Sequence, residues 1–321
     1  MAECGILNPF ACGKLPLADW MTIGLRWVVD NYRPFFQAVK GPIDSMLQSF
    51  MTALSTIPPT LVIVVVTLVA WQIAGIRLAL GLASTLLFVG FIGVWPDTML
   101  TLSIVLTSLI FAVVIGIPLG IWASRSDMLY AILRPMLDGM QTIPAFVYLV
   151  PVVMLFGIGN VPGVIVTVIF AVAPVVRLTY LGMKQVPGDV VEAMRAFGST
   201  ESQLLWKAQL PLALPTIMAG VNQTLMMSLS MVVIASMIAV GGLGQMVLRG
   251  IGRLDIGLAT VGGLGIVALA IVLDRLTQAL ARPRKRGEWL TRGPIGIVRS
   301  FIKTPEPQAR SGLPQSSAVK N

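Results

Sequence analysis

The stretch Gly188–Pro215, GDVVEAMRAFGSTESQLLWKAQLPLALP, places polar and charged residues in the middle of a mostly apolar chain. Asp189 and Glu192 have the spacing of a capping box, a pair of residues whose side chains bond each other's backbone N–H at a helix start. Gly198 stands where a helix commonly ends in a left-handed residue. The first half of the stretch therefore predicts a short helix that ends at Gly198.

A second short helix follows in the same stretch. Thr200 and Gln203 repeat the capping-box spacing. Pro211 and Pro215 predict that this helix ends near them, because proline lacks the N–H donor that a helix interior needs. The stretch thus predicts two capped helices hinged at a glycine and flanked by apolar segments, a form suited to contact with a partner outside the membrane.

The hydrophobic composition indicates the class of protein to which the chain belongs. It has 321 residues, of which 56% are hydrophobic and only 12% charged, whereas a soluble domain is about a quarter charged. We therefore predict an all-α integral membrane protein. The net charge of +9 does not indicate nucleic acid, since nine of the Lys and Arg residues lie from Arg282 onward, where positive-inside topology and anionic lipid account for them.

Apolar segments of near-spanning length predict about seven transmembrane helices. The first two are separated only by Gly75-Ile76-Arg77, and as one helix they would run about 55 Å, so a hairpin or a sharp bend is required. Arg125–Gly139 is expected to be a polar loop. The predicted spans are Pro59–Gly75, Leu78–Trp95, Thr98–Ala123, Gln141–Ile158, Pro162–Leu181, Thr216–Val240 and Ile256–Leu280.

These segments divide the chain into four parts. Residues 1–58 form an external N-terminal tail, and 59–97 form two accessory transmembrane helices. Residues 98–280 form a five-helix core that includes a polar loop at 183–215. Residues 281–321 form a basic cytoplasmic tail whose composition predicts disorder.

The N-terminal tail carries two amphipathic patterns. Both fit helices lying on a membrane surface and, equally, helices packed against the protein's own spans. The first comprises Leu17, Trp20, Met21, Gly24, Trp27, Val28 and Tyr32, and the second, after Pro42, comprises Ile43, Met46, Leu47, Phe50, Met51 and Leu54.

The distribution of Lys and Arg predicts the orientation. With seven spans, the 183–215 loop and the C-terminus share the side that holds most of these residues, which places them in the cytoplasm and the N-terminus outside. The residues on that side, besides the tail, are Arg77, Arg125, Arg134, Arg177, Lys184, Arg195, Lys207 and Arg275.

Ion-coupled transport finds little support in the sequence. The chain has no histidine, and Asp274 is the only carboxylate inside a predicted span; its neighbour Arg275 favours ion pairing or snorkelling over ion binding. There is no GxxxxGK[ST] phosphate-binding motif. Cys4 and Cys12 cannot form a four-ligand metal site, and whether they form a disulfide stays open. Energy for uphill transport must therefore come from another subunit.

Polar residues in the sixth span are the candidates for a translocation path. The alternative is that they form hydrogen bonds between helices, which are common in membranes. Glycines at Gly116 and Gly120, in Gly241-Gly242-Leu243-Gly244 and in Gly262-Gly263-Leu264-Gly265 indicate turns and close helix packing. The path candidates are Asn222, Gln223, Thr224, Ser228 and Ser230.

The 183–215 loop resembles a known motif, and we call it the coupling loop. Glu192-Ala193, Gly198 and Leu210-Pro211 match the EAA…G…LP cytoplasmic loop of ABC importer permeases, with Met194 and Ala208 departing from the family pattern. The run from Gln209 to Gly263 is similar to the glycine betaine/proline betaine permeases. The resemblance covers residues 98–278 well and the N-terminal tail poorly.

The resemblance implies a non-enzymatic subunit of a type I ABC importer in the inner membrane. Its expected partners are a second copy of itself, two cytoplasmic ATP-binding subunits, an external substrate-binding protein and lipid, but no nucleic acid. ATP and Mg²⁺ would be used by the ATPase, with no cofactor or metal in this chain. A choline or other quaternary-amine permease, an ATP-independent osmotic channel or secondary carrier, and a membrane sensor remain alternatives.

Overall fold

The computed structural model describes residues 16–281, so Cys4, Cys12 and the basic tail after Ala281 lie outside the described part. Every regular element within that range is helical, which confirms the all-α class. The α-helices are α1 Leu17–Thr56, α2 Pro59–Ala74, α3 Ile76–Phe91, α4 Trp95–Arg125, α5 Asp127–Thr142, α6 Leu149–Phe156, α7 Asn160–Lys184, α8 Gly188–Ala196, α9 Glu201–Leu204, α10 Leu210–Ala235, α11 Leu243–Arg253 and α12 Ile256–Ala281.

Helix α7 forms the centre of the bundle and packs against α4 on one side and α10 on another. Small residues allow these helices to approach closely. A Cβ atom on Gly116 would lie 2.3 Å from Val175 Cγ1, and one on Gly120 would lie 2.5 Å from Thr179 Cβ. These clashes confirm the predicted close-packing role of the two glycines.

The bundle has two distinct ends. At one end, Lys184 at the end of α7 pairs with Asp127 at the start of α5 (2.9 Å), and helices α8 and α9 follow; we call it the loop end. At the opposite end, the Asn160 side chain accepts a hydrogen bond from Gly241 N (2.9 Å), and the α10–α11 connection crosses the start of α4. Helices α4, α7 and α12 run toward the loop end, and α10 runs away from it.

The number of membrane spans is close to the predicted seven without matching it. By length and composition, four helices in the described chain are able to cross a membrane, or up to six if each of two bent pairs forms one span. Helices α2 and α3 have 16 residues each, about 24 Å, which is short of a ~30 Å hydrocarbon core. They pack on each other as a hairpin around Gly75 (φ +94°), which confirms the sharp bend expected there.

The region predicted as a polar loop and a continuous fourth span is organised differently. Residues 127–142 form helix α5, and the direction changes by 103° before the short segment Ala145–Phe156. The prediction of a loop at Arg125–Gly139 was wrong because the Ser126 hydroxyl caps α5 by accepting from Leu129 N (3.3 Å), and Leu137 is buried in the core. Ile143 and Pro144 have extended backbone, which breaks the predicted Gln141–Ile158 span.

The two amphipathic patterns of the tail lie on one helix of 40 residues, α1, rather than on two. Pro34 and Pro42 lie inside this helix, and the apolar stripe continues through both. Ile43 and Leu47 are buried in the main core, and Phe36 makes an edge-on contact with Phe156 (ring centroids 5.4 Å apart). The second half of α1 therefore packs against the protein's own helices, whereas the first half is exposed.

Helix α11 folds back against the first half of α12 at the opposite end. Glycine permits the contacts. A Cβ on Gly250 would lie 2.5 Å from Ala259 N, and one on Gly265 would lie 2.7 Å from Leu243 Cδ2. The glycine-rich runs of this region serve turns and close packing, as the sequence predicted.

Candidate functional site

The first helix of the coupling loop begins two residues earlier than predicted. Pro187 is the residue before α8, which places Asp189 in the first turn, where its carboxylate accepts from Val190 N (2.9 Å). The predicted Asp189–Glu192 capping box is therefore wrong. An acidic residue in the first turn still stabilises the helix, because it faces the positive end of the helix dipole. Glu192 and Ala193 are exposed.

Gly198 ends the first helix in the predicted left-handed conformation, with φ +76°. Gly198 N donates to Arg195 O (2.9 Å) and Ser199 N donates to Met194 O (3.1 Å), which is the Schellman arrangement. A residue with a β-branched side chain reaches this φ only with steric strain. The predicted left-handed helix end at Gly198 is confirmed.

The second helix is capped as predicted but does not end at the prolines. Thr200 Oγ1 accepts from Gln203 N (3.3 Å), and Gln203 Oε1 accepts from Thr200 N (3.1 Å). A π-turn at Leu205–Gln209 joins α9 to α10, so the helical path runs unbroken over Glu201–Ile238. The predicted termination was wrong: the π-turn, in which Leu210 N donates to Leu205 O, carries the helix past Pro211, and Pro215 lies inside α10.

The loop presents an exposed surface held by few buried residues. Leu204 and Ala208 are buried and fix the second helix to the bundle, whereas Phe197 is 90% exposed. Arg195 pairs with Glu201 (3.0 Å) and links the two short helices. Of the predicted coupling residues, Glu192, Ala193, Gly198 and Pro211 are exposed and Leu210 is half-buried.

The candidate path residues of α10 point in three directions. Gln223 and Ser230 are exposed, whereas Thr224 and Ser228 are buried, with the Ser228 hydroxyl donating to Thr224 O (2.8 Å). Asn222 faces α12. The exposed pair belongs to a face that no other helix covers; we call it the open stripe, and it comprises Ala219, Gln223, Met226, Ser230 and Met237.

Asn222 and Asp274 connect α10 to α12. Asn222 Nδ2 donates to Asp274 Oδ1 (3.0 Å), Gln278 Nε2 donates to the same carboxylate (2.7 Å), and the Thr277 hydroxyl donates to Asn222 Oδ1. The expected snorkelling of Asp274 or pairing with Arg275 is replaced by these bonds from neutral side chains. They satisfy the carboxylate between the two helices.

Sequence reasoning missed the polar contacts of α5, because that segment was predicted to be a loop. Asp138 pairs with Arg177 of α7 (2.5 Å), and the Gln141 amide contacts the Met227 sulfur of α10 (3.7 Å). The rings of Tyr130 and Tyr180 stack with centroids 3.6 Å apart. The signal that was available is the amphipathic spacing of Leu129, Leu133, Leu137 and Met140.

Within residues 16–281 no three or more His, Cys, Asp or Glu side chains gather into a group able to hold a metal ion. The charged groups of the described chain instead form three ion pairs: Arg177–Asp138, Lys184–Asp127 and Arg195–Glu201. All three pairs lie between helices of the loop half of the bundle.

Comparison with known proteins gives concordant matches. Residues 116–286 match the family described as "Binding-protein-dependent transport system inner membrane component". The chain is 60% identical over 302 residues to the glycine betaine/proline betaine transport system permease protein ProW of Escherichia coli, covering 93% of this chain and 85% of that protein. It is 45% identical over 275 residues to the glycine betaine/carnitine transport permease protein GbuB of Listeria monocytogenes, covering 84% of this chain and 97% of that protein.

A solved structure has the same fold. The chain aligns with a structure of the MetNI methionine ABC transporter in an inward-facing conformation, with a TM-score of 0.51, 25% identity, and coverage of 61% of this chain and 97% of that chain. The match to the family profile spans more than half of the chain, and ProW and GbuB extend it over most of the remainder. The chain belongs to the family of inner membrane components of binding-protein-dependent transport systems.

Proposed function

We propose that this chain is the membrane-spanning permease subunit of an ATP-driven importer for osmoprotectants of the glycine betaine and proline betaine type. The observation that carries the proposal is the continuous helical path Glu201–Ile238, which links the exposed loop directly to a helix that crosses the bundle. A force on the loop is therefore carried into the membrane without an intervening flexible joint.

The partners follow from the surfaces. A cytoplasmic ATP-binding subunit docks on the exposed face of α8 and the π-turn, where Ala193, Phe197 and Trp206 are exposed. ATP and Mg²⁺ belong to that partner. Closure of two such subunits moves α8 and α9, and α10 converts the movement into alternating access.

The open stripe of α10 is the proposed translocation surface. Gln223 and Ser230 provide polar groups on it, and Met226 and Met237 provide adaptable apolar groups. A second copy of the chain covers this surface and leaves the path between the two copies. An external binding protein captures the cargo and delivers it to the end opposite the loop.

The proposed location is the inner membrane, with the loop end in the cytoplasm and the N-terminus outside. Six Lys and Arg residues between Arg125 and Lys207 belong to the loop half of the bundle, at positions 125, 134, 177, 184, 195 and 207. Their bias toward one side supports this orientation through the positive-inside rule.

The test uses the complete complex in proteoliposomes: this chain, its ATPase and the binding protein. Uptake of labelled glycine betaine is expected to require ATP and to continue when proton and sodium gradients are dissipated, because Asp274, inside α12, is already satisfied by Asn222 and Gln278. Uptake that stops with the gradients and ignores ATP would favour a secondary carrier. Uptake of choline in preference to glycine betaine would favour a permease for choline or another quaternary amine.

A further inference from the structure

An ion pair joins α5 to α7 at a distance from the helix ends, and it is partly exposed. Arg177 Nη2 is 2.5 Å from Asp138 Oδ1. Arg177 is seven residues, about 10 Å, from the end of α7, and Asp138 is four residues from the end of α5, where the chain bends by 103°. Charged residues at such depth are expensive and mark functional positions by default.

The pair is accessible. The side chains of Arg177 and Asp138 are 35% and 51% exposed, so neither is sealed in the core. The long Arg177 side chain carries its charge on several rotatable bonds, and both charged groups are open to solvent. Exposure weakens the attraction between the two charges, so the pair contributes little to joining α5 to α7.

The pair is continuous with the open stripe. Gln141 lies one helical turn after Asp138, and its amide contacts the sulfur of Met227. Met227 in turn lies one turn from Gln223 and from Ser230 on α10. A series of charged, amide and hydroxyl groups therefore extends from α7 across α5 to α10, where the exposed members of the candidate path lie.

The cargo of the proposed function has a matching charge pattern. Glycine betaine, proline betaine and carnitine each carry one quaternary ammonium and one carboxylate, so their net charge is zero. A guanidinium binds a carboxylate through two parallel hydrogen bonds, and a carboxylate attracts an ammonium group. Without cargo, the charges of one Arg and one Asp neutralise each other. When a zwitterion binds, its two charges replace these partners, and the net charge of the site does not change.

We propose that Asp138 and Arg177 form a zwitterion-exchange site: the pair opens as cargo passes, Arg177 takes the carboxylate and Asp138 takes the ammonium group. The inference rests on the proposed function and deepens it. A cargo with a single charge, such as choline, leaves Arg177 without a partner in a partly desolvated site, which disfavours it. The site therefore selects zwitterions over simple cations.

The test removes both charges at once. In the complete complex in proteoliposomes, Asp138→Asn/Arg177→Gln leaves no unpaired charge, so a pair that only joins α5 to α7 is dispensable. We expect normal assembly and ATP hydrolysis but glycine betaine uptake reduced about tenfold or more, because a zwitterion then meets no complementary charges. Uptake at the parental rate by this variant would overturn the proposal.

The chain offers a matched control. Asp127 and Lys184 form a second ion pair (2.9 Å) between the same two helices, but at the loop end of the bundle, where Asp127 is 86% exposed. Asp127→Asn/Lys184→Gln is expected to keep uptake within about twofold of the parent, since an exposed pair contributes little. A loss in the control as large as that in the test variant would show a structural effect of joining α5 to α7.

A measurement on the unmodified complex covers the case in which the test variant does not fold. Without the binding protein, millimolar glycine betaine is expected to stimulate ATP hydrolysis and millimolar choline is not. Equal stimulation by both compounds would overturn zwitterion selection by the membrane subunit. Failure of the proposed function is visible separately, as absence of ATP-driven glycine betaine uptake by the parent complex before any substitution is made.

Discussion

Gly198 and Gly242 lie at opposite ends of the bundle and share an uncommon backbone conformation, with φ of +76° and +94°. Their surroundings differ. A Cβ atom on Gly198 would meet nothing within 4 Å, whereas one on Gly242 would lie 2.4 Å from Thr101 Oγ1 and 3.0 Å from Asp97 O. The coupling loop is thus shaped by local backbone geometry, and the α10–α11 connection by packing between helices.

This difference bears on how the protein moves. The loop keeps its shape through its own caps and the Arg195–Glu201 pair, and only a few residues fix it to the bundle. It is therefore able to move as a unit together with α10. The opposite end is held by hydrogen bonds between segments far apart in sequence, such as Leu243 N to Thr101 Oγ1 (2.9 Å). Movement there requires the rearrangement of packed helices.

Gly242→Val is expected to have the largest effect. The substitution adds backbone strain of about 1–3 kcal/mol to overpacking of about 1–3 kcal/mol, and it displaces the Thr101 hydroxyl that accepts from Leu243 N. The amount of monodisperse protein extracted from membranes should fall severely. Gly263→Ala is the control, because a Cβ there meets nothing within 4 Å; equal yields from both variants would show that packing at this end is not limiting.

Gly198→Val should leave the protein folded but uncoupled. The strain, about 1–3 kcal/mol, falls on a loop with open space around it, so membrane levels should match those of the parent. The angle between α8 and α9 changes, and cargo transported per ATP hydrolysed should drop. Gly198→Asn should retain more coupling because asparagine tolerates positive φ. A Val variant that couples like the parent would mean that the loop is only a connection.

Glu192→Ala should have the smallest effect on the chain itself. Glu192 is exposed and takes no part in a capping box, so its loss should leave abundance and the thermal midpoint unchanged. Any decrease in ATPase recovered with the complex then reports a contact made directly by the carboxylate. A lower thermal midpoint would indicate that Glu192 stabilises the first helix in a way that the structure does not explain.

The sequence predicted features whose causes are local. The positive φ of Gly198, the Thr200–Gln203 box and the close packing at Gly120 each follow from a few neighbouring residues or a fixed helical spacing. Helix α5 was mistaken for a loop because Asp127, Arg134, Pro135 and Asp138 interrupt its apolar residues, whereas α4, α7 and α10 supply the apolar groove in which it packs. The π-turn before Pro211 was not predicted, because the two prolines indicated a helix end at that place.

The polar residues of α10 illustrate the same limit. Sequence reasoning grouped Asn222, Gln223, Thr224, Ser228 and Ser230 because of their chemistry. Their places in the helix separate them: two lie on the open stripe, two are buried, and Asn222 bonds to α12. Which face stays open depends on where α7 and α12 pack, and this is decided by contacts between distant parts of the chain.

The most direct test of the account uses the two ends of the bundle. Phe197 at the loop end and Leu254 at the opposite end are 90% and 89% exposed, so they are equally available to a reagent. In a chain lacking Cys4 and Cys12, Phe197→Cys is expected to cross-link to the ATPase in the assembled complex, and Leu254→Cys is not. A cross-link to the ATPase from Leu254→Cys, with none from Phe197→Cys, would contradict the assignment of the loop as the docking and coupling element.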